Sequence, residues 1–149
     1  MKRFLRIAMP ILTCLVIAFI LSNSLSDQTS AEGKRDFVVK VITGKTFKKQ
    51  ILACIAKLFH MLEYAGFSFC LTSSVFLLGD GVKNRFERVL LCGMTLALSD
   101  ELIQSLFSGR GSRVTDVLVD TAGVMVGYAV SLLLDRLIQK HIEKTKKGT

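Results

Sequence analysis

Apolar residues run almost unbroken through four stretches of the chain, approximately Phe4–Ser22, Ile51–Leu78, Val89–Phe107 and Val117–Ile138. Each is close to or above the roughly 20 residues a helix needs to cross a hydrocarbon core. The segments between them are short and polar, except residues 23–50. The pattern predicts an all-α membrane protein: one domain over residues 1–149, built as a bundle of four transmembrane helices with a long outer loop between the first and second. In that loop, DFVVKVITGKTFKKQ mixes apolar and basic residues and suits a segment lying along the membrane interface, while VVKVI also admits a period-2 strand reading.

Charge sharpens the picture. The net charge is +8, and basic residues cluster where apolar runs begin and end, in MKRFLR before the first and DRLIQKHIEKTKKGT after the last. Four spans place both termini on one side, and these clusters predict that this side is the cytoplasm, making the chain a multi-pass protein of the cell membrane. The loop GDGVKNRFER, with Lys83, Arg85 and Arg88, falls on the same side. Anionic lipid headgroups explain such placement better than nucleic acid, for which there is neither zinc-finger spacing nor aromatic–basic interleaving. The first span also has the basic start and apolar centre of a signal peptide, but the SNSLS that follows lacks an A-x-A-like cleavage site. Cys14, Cys54, Cys70 and Cys92 stand singly in apolar surroundings with no CxxC pair, and read as small hydrophobes.

Polar residues inside the spans are the unusual feature. KLFHMLEY carries Lys57, His60, Glu63 and Tyr64; on a helix Lys57, His60 and Glu63 spread over roughly 120° with Tyr64 between them. ALSDELIQSLF carries Asp100, Glu101 and Gln104, with Asp100 and Gln104 four apart on one face. In DVLVDTAGVMVG, Asp116 and Asp120 head a helical stripe that continues through Gly123 and Gly127. This GxxxG seam lets another helix approach closely. Arg110 and Arg113 lie in the loop before it. With the predicted topology all these groups fall in the outer third of the membrane.

A charge at mid-membrane costs about 2.5–3.5 kcal/mol on insertion scales, so such groups pair, face water or do chemistry. The five acids Glu63, Asp100, Glu101, Asp116 and Asp120 outnumber Lys57, Arg110 and Arg113. Mutual salt bridges therefore do not close the charge, and a proton, a metal or a cationic ligand must balance it. Structural readings stand beside this one. Lys57 fits a snorkelling anchor, His60 a packing hydrogen-bond partner, Asp116 and Asp120 partners of a helix N-terminus, and Arg113 an exposed loop charge.

The residues that carry this pattern resemble the VanZ-like family of small membrane proteins: K57-L-F-H60-M-L-E63-Y64, then D100-E101-L-I-Q104-S-L-F107, G109-R110, and D116-V-L-V-D120-T-A-G123-V-M-V-G127, with S22-N-S24 similar to the family's short serine-rich motif. Asp120 stands where many members show Asn. The resemblance implies a cell-envelope role, since the founding member is linked to low-level resistance to the glycopeptide teicoplanin.

Three classes of function follow. The first is a non-catalytic factor contributing to glycopeptide resistance or envelope-lipid handling. Its pocket at the outer leaflet would use Lys57 and Arg110 for phosphate or carboxylate, and the acids for amines or hydroxyls. The expected partners are membrane lipids and a lipid-linked cell-wall precursor or glycopeptide, with an oligomer compatible and no cofactor required. The second is an intramembrane enzyme on a lipid-linked substrate, with His60 or Glu63 as general base and Asp100, Glu101 and Asp116 holding a divalent metal. The third is a small transporter, which the lack of an internal repeat disfavours. G-x-S-x-G, a P-loop and HExxH are all absent.

Overall fold

The computed structural model describes residues 2–25, 33, 37–41, 49–78, 85–107 and 113–147, and helix is the regular structure throughout them. The four long helices are α1 (Lys2–Ser24), α2 (Lys49–Leu78), α3 (Arg85–Phe107) and α4 (Val114–Lys147). All four are long and apolar enough to cross a membrane, in agreement with the four predicted spans. At 1.5 Å per residue α2 and α4 reach about 45 and 51 Å, longer than the roughly 30 Å hydrocarbon core.

Three boundaries differ from the hydrophobic pattern by three residues or more. α3 starts at Arg85, four residues before the expected Val89, and Arg85 itself is buried. α4 starts at Val114 rather than Val117, because the Asp116 N–H bonds the Arg113 carbonyl at 2.9 Å and opens the first turn there. It then continues nine residues past Ile138 to Lys147. Gln, Lys, Ile and Glu are tolerated in a helix whether or not it is in lipid, so the end of the apolar run is not the end of the helix. The strand reading of VVKVI is overturned: residues 37–41 are helical, and alternation fails because Phe37, Val38 and Val41 are exposed while Val39 is buried.

Side-chain pairs give the helix directions. Asn23 meets Glu63 and Thr13 meets Ser74, so α1 and α2 are antiparallel. On α4, Gly123 faces Met61 and Gly127 faces Ala65, so α2 and α4 run parallel. Glu101 meets Arg113 and Gly93 meets Val124, which sets α3 antiparallel to α4. The GxxxG seam is thus filled from within the chain. A Cβ at Gly123 would run into the Met61 carbonyl, and one at Gly127 into that of Ala65, so only glycine permits this backbone approach.

The core gathers Ile20, Tyr64, Phe67, Val89, Leu96, Ala97 and Val124, drawing on all four helices. Outside it, Ile7, Leu15, Leu62, Leu91, Leu106 and Leu118 are each 60% or more exposed. Water would penalise so continuous an apolar surface, whereas lipid tails cover it without cost. Pro10 interrupts α1's hydrogen-bond ladder, and the hydroxyl of Thr13 one turn later donates to the Met9 carbonyl at 2.9 Å.

Candidate functional site

Antiparallel packing brings the end of α1, the first half of α2, the last third of α3 and the start of α4 together. The polar residues of the spans therefore meet at one end of the bundle.

α2 supplies the longest wall. Lys57 Nζ lies 2.8 Å from Asp116 Oδ1, an ion pair that joins α2 to the first turn of α4; the two side chains are 44% and 35% exposed, which places the pair at the rim. Asp116 also sits where the helix dipole favours an acid, and it accepts from the Thr115 hydroxyl at 3.3 Å. Deeper, His60 Nδ1 is 3.7 Å from Glu63 Oε2, an ion pair only when the imidazole is protonated. The other oxygen of Glu63, Oε1, accepts from the Asn23 amide at 3.1 Å.

α3 supplies the second wall. Gln104 Nε2 donates to Asp100 Oδ2 at 3.0 Å, as their four-residue spacing predicts. Glu101 Oε2 accepts from the Arg113 backbone N–H at 2.8 Å and so closes the α3–α4 connection. Arg113 enters the site through its backbone, since its side chain is exposed. Arg110 lies outside the described residues.

Asp120 and Tyr64 occupy the interior. Tyr64 is fully buried and Asp120 is 2% exposed, yet the Tyr64 hydroxyl and Asp120 Oδ1 have no hydrogen-bond partner, and neither does Glu63 Oε2. The Tyr64 hydroxyl is within electrostatic reach of Asp100, Asp120, Glu63 and Glu101. Asp120 is within reach of Asp100, Asp116, Glu101 and Glu63. Four carboxylates therefore surround one phenol. Among the described residues Lys57 is the fixed cation paired with the site's acids, and it holds the outermost acid. Buried polar atoms are ordinarily hydrogen-bonded, and a buried charge without a partner costs several kcal/mol, so three such acceptors in one place call for something to occupy them.

The expected divalent-metal group of Asp100, Glu101 and Asp116 is not assembled. Among the described residues no three His, Cys, Asp or Glu side chains gather to hold a metal ion. Asp100 is bound to Gln104, Glu101 to the Arg113 N–H and Asp116 to Lys57. His60 and Glu63 do lie together, as a base and its neighbour would.

Apart from Arg110, the structure brings every predicted site residue to this end: Lys57, His60, Glu63, Tyr64, Asp100, Glu101, Gln104, Asp116 and Asp120. Sequence reasoning left out Asn23. The S22-N-S24 motif marked its place, but a neutral amide at the end of a span carries no charge signal. It also passed over Ser68 and Thr72, one and two turns beyond Tyr64 on the same face of α2. They are 0% and 2% exposed, and neither hydroxyl has a partner.

No curated protein and no solved structure matches the chain. A family model does: described as VanZ/LLP1, it matches residues 7–135, a stretch that holds all four apolar helices up to Asp135 and every residue of the site. The chain belongs to the VanZ/LLP1 family.

Proposed function

We propose that this membrane protein is a binding factor of the cell envelope, acting through the polar pocket at the Asp116 end of the bundle. That end faces the outer leaflet, with both termini in the cytoplasm, and the pocket takes an envelope lipid, a lipid-linked cell-wall precursor or a glycopeptide. By this activity the protein contributes to teicoplanin-type resistance or to envelope-lipid handling. One observation carries the reading. Helices α2, α3 and α4 bring five carboxylates to one end of the bundle, and the Tyr64 hydroxyl and Asp120 Oδ1 are buried there without partners. A structural salt-bridge network would satisfy its own members; a binding site keeps acceptors in reserve for a ligand.

His60→Ala, Glu63→Ala, Asp100→Ala and Asp116→Ala test it, each measured by thermal unfolding in detergent and by teicoplanin susceptibility of cells expressing it. Variants that keep the parent's unfolding temperature but lose the parent's protection support a working pocket. Variants that unfold early as a group reduce the cluster to a structural one. Turnover of a lipid-linked substrate by the purified parent, lost in His60→Ala, would favour the enzyme reading instead.

A further inference from the structure

We infer that the pocket's ligand presents a primary ammonium group, a conclusion that rests on the binding reading above and narrows it to one chemistry. The buried acceptors without hydrogen-bond partners include Asp120 Oδ1, Glu63 Oε2 and the Tyr64 hydroxyl oxygen. His60 Nδ1, at 3.7 Å, is beyond hydrogen-bond length from Glu63 Oε2. Asp120 and Tyr64 are 2% and 0% exposed, so bulk water does not solvate these atoms. They belong to different helices, α2 and α4, and lie within electrostatic reach of one another.

A primary ammonium carries three N–H donors and one positive charge. Its donors suit these acceptors, and its charge offsets the excess of acids that Lys57 leaves at the inner end of the site. The Tyr64 oxygen accepts one N–H and keeps its own proton for a neighbouring carboxylate. A quaternary ammonium brings charge without donors and leaves all three acceptors unmet. A phosphate or carboxylate brings more negative charge to a site already rich in it. Lys57, half-exposed beside Asp116, is placed to meet any anionic part of the same ligand at the rim.

An ammonium of this kind comes either on a lipid headgroup or on a free amine. The detergent-solubilised protein would be titrated calorimetrically with short-chain phosphatidylethanolamine, with the matched phosphatidylcholine, and with ethylamine. The choline lipid keeps the positive charge but has no N–H. The expected result is saturable binding of the ethanolamine lipid at least about tenfold tighter than the choline lipid. In Asp120→Asn and Tyr64→Phe this preference should fall below about threefold. Ethylamine binding as tightly as the ethanolamine lipid identifies a free amine as the source; much weaker ethylamine binding identifies a headgroup. Equal affinities of the unaltered protein for the two lipids, with no competition from ethylamine, overturn the inference. That comparison needs no variant to fold. If the ammonium preference is absent while His60→Ala and Glu63→Ala still abolish protection at full stability, the pocket stands and only its ligand class falls. If those variants also keep full protection, the binding reading falls with it.

Discussion

The amide of Asn23, one residue from the end of α1, donates to Glu63 Oε1 at 3.1 Å in the middle of α2. This bond makes α1 part of the site rather than only an anchor, and it leaves the second Glu63 oxygen open to the interior. Asn23→Ala removes a donor from a partly buried carboxylate. We expect a loss of about 1–3 kcal/mol in detergent unfolding and a weakened pocket. Asn23→Asp sets a like charge against Glu63 and should cost more than the alanine. Equal stability of parent and Asn23→Ala would show that the bond contributes nothing.

Gly123 and Gly127 set the separation of α2 and α4. Gly127→Ala drives a methyl into the Ala65 carbonyl, and since backbone cannot yield as a side chain does, a destabilisation of about 1–3 kcal/mol or more follows. Gly66 is the control. It is exposed on α2 with nothing within 4 Å of a built Cβ, so Gly66→Ala should be neutral or stabilise by about 0.4–1 kcal/mol. Thermal unfolding of the two variants side by side reads both signs.

The Lys57–Asp116 pair is short but lies at the rim, where it is more than one-third exposed on each side. A double-mutant cycle on unfolding, with Lys57→Ala, Asp116→Ala and the pair, should give a coupling of no more than about 1 kcal/mol. Teicoplanin protection should nevertheless be lost in either single variant. A coupling of several kcal/mol with protection intact would assign the pair to structure alone.

The hydroxyls of Thr13, Ser24, Ser74, Ser99 and Thr121 return a bond to the carbonyl four residues before them. Ser68 and Thr72 do not, although they are buried. Replacing both partnerless groups by shapes without them, Ser68→Ala and Thr72→Val, removes two unsatisfied oxygens at little change of volume. The double variant should unfold at the parent's temperature or above it. A drop of more than about 1 kcal/mol would mean that these hydroxyls hold water or each other.

Orientation is checked chemically. In a cysteine-free background, Arg113→Cys should react with a membrane-impermeant thiol reagent added to intact cells, and Lys144→Cys only after the membrane is opened. Both positions are exposed at opposite ends of α4. The reverse pattern would place the site on the cytoplasmic side and remove the basis for an extracellular ligand.

The helices and their count were legible because hydrocarbon imposes a simple demand: every backbone group must be bonded within its own segment, so long apolar runs become helices. The site's membership was legible for a related reason. Lys57, Glu63, Asp100, Asp116 and Asp120 are costly in an apolar run, so their presence alone marks them. Asn23, Ser68 and Thr72 are cheap there and gave no comparable signal. The start of α3 and the end of α4 lie beyond the apolar runs because hydropathy reports where lipid stops, and Arg85 and the Gln139–Lys147 tail remain good helix formers past that point.

Sequence alone determined the material: four apolar helices, the family, and an excess of acids gathered near one side. Tertiary structure decided how that excess is distributed. Lys57 is taken by Asp116, Glu101 by the Arg113 N–H, Asp100 by Gln104 and half of Glu63 by Asn23. Asp120 and Tyr64 are left at the centre without partners. Spacing along one helix settles which residues share a face, but only the close parallel approach at Gly123 and Gly127 determines which acids of α4 stand against which residues of α2. A hydrogen bond depends on tenths of an ångström between elements distant in sequence, and no pattern within a single segment encodes that.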